Sequence, residues 1–241
     1  MVETRRAAAS LRAMSDADPA TDASGHRARL RQRLLDGGTE ALLDHELVEY
    51  LLGLSMRRQD TKPLARRLLA EFGSYGALVS ADTESLRRTG LGETSIAVLK
   101  IAQASAMRLL QRATTARPVL ASWQALTDYL HARMAHRMTE SVRVLHLNTR
   151  NMLIRDECVS EGSIDQSAIY IREVARRALE LGSAAVILVH NHPSGSPAPS
   201  RQDITLTREA VAALRPLGIA VHDHIIVGTD GQTSMRAQGL L

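Results

Sequence analysis

Cysteine, tryptophan and phenylalanine each occur once in 241 residues. The lone thiol, Cys158, excludes an intrachain disulfide and any zinc site built on several thiolates. It suits a reducing cytosol, and it reads as a packed or partly exposed thiol without function. Aromatic residues make up 2% of the chain while apolar residues reach 44%. A core can therefore be buried, and it must be made of Leu, Val, Ile and Ala. No apolar run approaches the roughly 18 residues of a membrane span, so no membrane role is expected. The opening MVETRRAAASLRAM carries basic residues but no continuous apolar stretch, which speaks against a secretory signal. Lysine is scarce as well, with only Lys62 and Lys100. The formal charge is +4, and residues 1–120 hold 18 Lys and Arg against 14 Asp and Glu, whereas residues 121–241 hold 12 of each. A basic excess of this size fits a nucleic-acid partner and fits the solvated faces of ordinary helices equally well.

Residues 1–24 are rich in Ala, Ser, Asp and Thr without apolar periodicity, and read as a disordered tail. Residues 25–113 follow a helical pattern. HRARLRQRLLDGG predicts a helix stopped by Gly37 and Gly38. EALLDHELVEYLLG places Leu42, Leu43, Leu47, Tyr50 and Leu51 on one face. TKPLARRLLAEFG has Pro63 near a helix start and Gly73 near its end. Asp82 is placed to cap TESLRRT, and TGLGETSIAVLKIA reads as a glycine turn opening a long helix. Residues 114–121, with Pro118, form the expected linker, and Ser122 offers an N-cap to the domain of residues 122–241. There the pattern becomes mixed. SVRVLHLN and NMLIRDECV suggest a hairpin around Thr149-Arg150. AAVILVH is an apolar strand between the helices YIREVARRALELG and SRQDITLTREAVAALRPLG. IAVHDHIIVG is a further strand, followed by a turn at TDGQTS. The fold class is α/β, a mixed sheet with helices on its faces, preceded by an all-α domain.

The apolar strand runs into VHNHPSGSPAPSRQD. Side chains alternate along a strand, so His190 and His192 point the same way and Asn191 the other. The Pro-rich loop cannot extend the strand and returns the chain to a helix opening at Ser200. Asp203 lies one turn in, facing back toward the strand end. Two histidines and a carboxylate leave a fourth position open, which is the ligand logic of a catalytic zinc site. Ser200-x-x-Asp203 is also an ordinary helix cap with an acidic residue near the N-terminus, which needs no metal.

These residues carry a resemblance to a known family. His190-Asn191-His192-Pro193-Ser194-Gly195, with Ser200 and Asp203, resembles the JAB/MPN (JAMM) metalloprotease signature in the form found in bacterial RadC proteins (UPF0758). LHLNTRN, SEGS, REVARRALELGSAAVILVHNHPSG and DHIIVG are similar to RadC segments over about residues 25–241. The resemblance implies a cytidine-deaminase-like JAB/MPN fold. It implies that His190, His192 and Asp203 hold Zn2+ and that Ser200 hydrogen-bonds the water or the developing oxyanion. It further implies a glutamate general base at the start of the first strand, a place Glu140 fills. Glu161, in SEGS, is the rival. The implied activity is amide or isopeptide hydrolysis of a peptide substrate by a cytoplasmic enzyme.

Other signals are weaker. The letters His190-Asn191-His192 are not an HNH nuclease, whose three residues are dispersed over another fold. No Pro-Cys-x-x-Cys supports a zinc deaminase. His222-Asp223-His224 is a second His-x-His, read as a core position with neighbours at the sheet face; in the family, Asp223 and His224 are motif members without a defined role. Thr89-Gly90-Leu91-Gly92 resembles a helix-hairpin-helix turn, with Thr89 where the motif usually has Pro. Its backbone N–H groups could hold a DNA phosphate, with Arg87, Arg88 and Lys100 nearby. Three functions follow: a zinc peptidase or isopeptidase with a DNA-binding module in residues 26–113, a metal-dependent enzyme acting on nucleic acid, or a noncatalytic adaptor in DNA repair.

Overall fold

The computed structural model describes residues 19–115, 118–119, 123–162 and 171–241. They divide into two compact units, with the main boundary after Ala102. The first unit is helical: α1 (Pro19–Gly37), α2 (Asp44–Ser55), α3 (Lys62–Phe72), α4 (Tyr75–Ser80), α5 (Thr83–Arg88) and the beginning of α6 (Glu93–Thr115). Helix α1 starts inside the stretch read as a tail, because a proline is well placed in a first helical turn. It stops as expected at Gly38, whose φ is 71°. The apolar face of α2 differs from the expected one. The helix starts only at Asp44, so Leu42 and Leu43 precede it, and Leu43 is exposed. Val48 and Leu52 form the buried stripe, and Glu49 is buried beside His26 at 3.0 Å. Helix α6 continues to Thr115, two residues into the expected linker. Ser122 lies outside the described residues, whereas Val119 is buried and donates its N–H to the Asn151 carbonyl at 2.8 Å. Among the described residues no helix is long and apolar enough to cross a membrane.

The second unit carries the sheet. Its elements are α7 (Trp123–Met134), β1 (Glu140–Leu147), β2 (Leu153–Gly162), α8 (Ile171–Glu180), β3 (Ala185–Asn191), α9 (Arg201–Leu214), β4 (Ala220–Gly228) and β5 (Gly231–Ser234). The strand order is β2-β1-β3-β4-β5, with β3 and β4 parallel and the other neighbours antiparallel. The hairpin turn spans Asn148–Met152, longer than the expected Thr149-Arg150, with Asn151 at φ 58°. The stretch read only as a turn after β4 contains β5, a short strand at the sheet edge.

Strand alternation sorts two cores. Leu145, Leu147, Ile187, Val189, Ile225 and Val227 meet Leu126 and Leu130 of α7 on one face. Val144, Val186, Leu188 and Val221 meet Val174 of α8 and Ala210 and Leu214 of α9 on the other. Strand β3 is buried on both faces along its whole length, which is why it reads as an unbroken apolar run. His190 shares the parity of Val186 and Leu188, so it emerges on the α9 side.

Candidate metal centre

The end of β3 and the start of α9 meet through a loop seated on β4. The His192 N–H donates to the Val227 carbonyl at 2.9 Å, carrying the parallel pairing one residue past the strand. Gly195 then turns at φ 92°, a left-handed conformation suited to glycine. Its carbonyl accepts from the Asp230 N–H at 3.1 Å. A Cβ on Gly228 would stand 1.9 Å from that carbonyl oxygen, so only glycine admits the loop there. The loop delivers Ser200 as the N-cap of α9. Both cap contacts form: the Asp203 N–H donates to Ser200 Oγ at 3.2 Å, and the Ser200 N–H donates to Asp203 Oδ2 at 2.7 Å. The cap reading and the ligand reading of Ser200-x-x-Asp203 are therefore compatible. Capping is what orients the carboxylate.

His190, His192 and Asp203 converge. His190 Nε2 is 2.9 Å from His192 Nε2 and 3.1 Å from Asp203 Oδ1, and His192 Nε2 is 3.5 Å from Asp203 Oδ2. Donors held at 2.0–2.1 Å by one tetrahedral ion lie about 3.3 Å apart, so this set fits a single cation. Hydrogen inventory points the same way. His192 Nδ1 faces the Ser196 carbonyl at 2.9 Å, which can only accept, so Nδ1 carries the hydrogen and Nε2 of the neutral ring is bare. A bare imidazole nitrogen therefore faces a carboxylate, and a cation satisfies both. Burial alone would raise the Asp203 carboxyl. Its close contacts with the His190 and His192 rings, and the hydrogen bond from the Ser200 N–H, hold it well below the usual range. The adjoining Asp203 carboxylate pushes His192 up, against its own burial.

The three ligand atoms border a cavity of about 290 Å³ that is also lined by Glu140, Val142 and Ser200. Glu140 opens β1, and Val142 pairs with His190 across the sheet, which brings Glu140 level with the histidines although it lies far upstream in the chain. Asn191 fixes this junction. Its Oδ1 accepts from the Ser141 N–H at 2.9 Å and the Ser141 hydroxyl at 2.7 Å, and its Nδ2 donates to the Thr139 carbonyl at 3.1 Å. The residues on either side of Glu140 are thus held by the residue between the two histidines. Glu161, opposite Ser141 on β2, is exposed and ion-paired with Arg137, and it is not among the residues lining this cavity.

His222 and His224 do not form a second pair. A bulge at His222 breaks the β3–β4 register, so the two side chains diverge. His222 reaches Asn151 Oδ1 at 2.8 Å, while His224 is fully buried, with Nε2 2.8 Å from His190 Nδ1. Burial pushes the His224 ring down to about 3, so it stays neutral. Asp223 accepts from the His224 and Arg236 N–H groups and from the Ser234 hydroxyl, tying β4 to the C-terminal turn. Cys158 is exposed. In the first unit, Gly90 turns at φ 86° between α5 and α6, and Arg87 binds Glu93, in the first turn of α6, at 2.7 Å. Asn191 and His224 were not assigned roles by sequence reasoning. A polar residue alternating out of an apolar strand was the available sign for Asn191, and a histidine inside the apolar strand β4 was that for His224.

A mixed sheet with a His-x-His strand end and an aspartate one helical turn away is the arrangement that the JAB/MPN resemblance implies. A family model described as the RadC-like JAB domain matches residues 120–240, and one described as UPF0758 N-terminal matches residues 24–97. The chain is 51% identical over 213 residues to a UPF0758 protein of Rhodobacter capsulatus, covering 88% of this chain and all of that one. It is 49% identical over 217 residues to a UPF0758 protein of Ruegeria pomeroyi, covering 90% and 97%. The chain belongs to the RadC-like, UPF0758 family.

Proposed function

We propose that the protein is a zinc-dependent hydrolase that cleaves an amide or isopeptide bond of a peptide substrate. The observation that carries this reading is the convergence of His190, His192 and Asp203 on one point at the wall of a cavity that Glu140 and Ser200 also line. The chemistry an ion held there supplies is Lewis acidity, which activates water near neutral pH and polarises a carbonyl. Glu140 takes the proton of the attacking water and returns it to the leaving amine. Ser200 uses an oxygen lone pair to cap α9, so its O–H hydrogen is available to donate to the substrate oxygen as negative charge builds there. The test combines zinc analysis with cleavage assays on peptide, isopeptide and DNA. Glu140→Gln should keep its zinc and lose roughly 10²–10⁴-fold in hydrolysis. Equal zinc in wild type and His192→Ala rejects the site, and cleavage of DNA alone rejects the chemistry.

One observation favours a nucleic-acid partner for the helical unit, and it lies away from the hairpin turn. A cavity of about 410 Å³ between α1 and the end of α2 is lined by Arg27, Arg31, Arg57 and Arg58 with Tyr50. Arg27 binds the Gly53 carbonyl at 3.2 Å, whereas Arg31, Arg57 and Arg58 are exposed and form no ion pair among the described residues. Such a cluster favours phosphate. Replacing these three exposed arginines by serine should weaken DNA binding and lower its log–log salt slope by about 2–3. Unchanged affinity refutes this partner.

A further inference from the structure

We propose that His224 is a positioning residue which, with Thr207, locks His190 in the tautomer that turns a bare Nε2 toward the metal. The proposal rests on the metal reading above and adds to it a device that neither ligand spacing nor family membership assigns. It follows from tracing each hydrogen along a buried chain of contacts.

The chain begins at a group whose role is fixed. The Asp203 main-chain carbonyl can only accept, and Thr207 Oγ1 lies 2.6 Å from it. We assign the single hydroxyl hydrogen of Thr207 to this carbonyl, the one close partner that can only accept; His224 Nδ1 can take either role, and Met235 Sδ, at 3.4 Å, is a weak acceptor. Thr207 Oγ1 is also 2.6 Å from His224 Nδ1. With its hydrogen committed, the hydroxyl accepts, so His224 Nδ1 carries the ring hydrogen. A neutral imidazole has one N–H, and His224 Nε2 is consequently an acceptor. His190 Nδ1 stands 2.8 Å from it and must donate. That leaves His190 Nε2 without hydrogen, the atom that faces His192 and Asp203.

Both histidine ligands thus have their tautomers fixed from behind by different means. His192 is set by the carbonyl of Ser196 in its own loop. His190 is set through two side chains from α9 and β4, beginning at the backbone of Asp203, itself a ligand. His224 and Thr207 are fully buried, so water has little access to re-pair either group. An outer partner of this kind changes metal affinity typically 10–100-fold when removed.

The experiment reads tautomers and metal separately, on the full-length protein. Histidine ¹⁵N NMR of the metal-free form, at a pH where the rings are neutral, should show hydrogen on Nδ1 of both His190 and His224. His224→Gln places an amide oxygen near the former Nε2 and should keep the His190 tautomer and hold zinc affinity within a few-fold. His224→Leu should release the tautomer and lower zinc affinity, measured by chelator competition, 10–100-fold. Thr207→Val should behave like the leucine variant and Thr207→Ser like wild type, which covers the case in which His224→Leu fails to fold. A hydrogen on His190 Nε2 in the wild type, or an unchanged tautomer and zinc affinity in Thr207→Val, overturns the proposal. The predicted tautomers in a protein that takes up no zinc would support the chain of hydrogen bonds and reject the metal reading alone.

Discussion

The two faces of the sheet each bury an aspartate, and the two are surrounded in opposite ways. On the α7 face, Asp156 accepts from the Tyr129 hydroxyl at 2.6 Å and from Arg143 Nε at 2.6 Å, with Arg133 at 3.6 Å. Every close partner is a donor and two are cations. Burial first, then the Asp156 charge, pushes the Tyr129 phenol far above its usual range, so it remains a donor. On the α9 face, Asp203 meets two imidazoles whose outer nitrogens already serve other partners. The Asp156 cluster closes on itself. The Asp203 cluster brings three ligand atoms close enough to share one cation, and it opens on a cavity. Burial of a carboxylate therefore does not separate a structural group from a functional one; the hydrogen inventory of its neighbours does.

That contrast can be broken most directly by the same substitution on both faces. Asp156→Asn leaves the Arg143 guanidinium buried without its charge partner and should destabilise the protein by about 3–5 kcal/mol in denaturant unfolding. Its zinc content should be unchanged. Asp203→Asn keeps an oxygen for the Ser200 N–H and removes a negative charge from the ligand set. Zinc affinity should fall by more than about 100-fold, beyond the usual loss for an outer partner. Metal-free stability should fall less than in Asp156→Asn, because no buried guanidinium is left without its charge partner. If both variants lost stability and zinc together, the two faces would be one structural network and the contrast would dissolve.

A smaller effect is expected at Asn191, which belongs to the functional cluster but binds no ion. Asn191→Ala strands the Ser141 N–H and the Thr139 carbonyl, a cost of about 1–3 kcal/mol. Zinc should remain bound while hydrolysis falls, because Glu140 loses the anchors on both sides of it. A variant that hydrolyses at the wild-type rate would show that strand pairing alone holds the base.

The sequence revealed the three convergent residues more readily than their supports, for physical reasons. His190, His192 and Asp203 are local: strand alternation and one helical turn set their directions, so spacing pointed to their convergence. Glu140 depends on the pairing of Val142 with His190, a tertiary register that no local pattern encodes, which is why Glu161 remained a rival on sequence grounds. The bulge at His222 inserts one residue into the strand without any glycine or proline to mark it. The face of α2 was misjudged because Leu42 and Leu43 continue the helical spacing although the helix starts after them. Arg143 shares the parity of Leu145 and Leu147, and Asp156 pairs with Leu145, so alternation places both on the α7 face, where Tyr129 meets them.

The smallest predicted effect separates the two jobs of Ser200. Ser200→Ala removes the side-chain cap of α9 and should cost about 1 kcal/mol of stability, whereas Ser200→Gly should cost only a few tenths. Neither variant has a hydroxyl to donate into the cavity, so both should lose hydrolysis to the same extent. Neither should lose much zinc, because the Ser200 N–H that holds Asp203 Oδ2 belongs to the backbone and survives both changes. Equal hydrolysis with unequal stability assigns the rate effect to the donor. Hydrolysis that instead tracked stability, with glycine close to wild type, would reduce Ser200 to a cap and make this edge of the Asp203 cluster as structural as the Asp156 cluster on the opposite face.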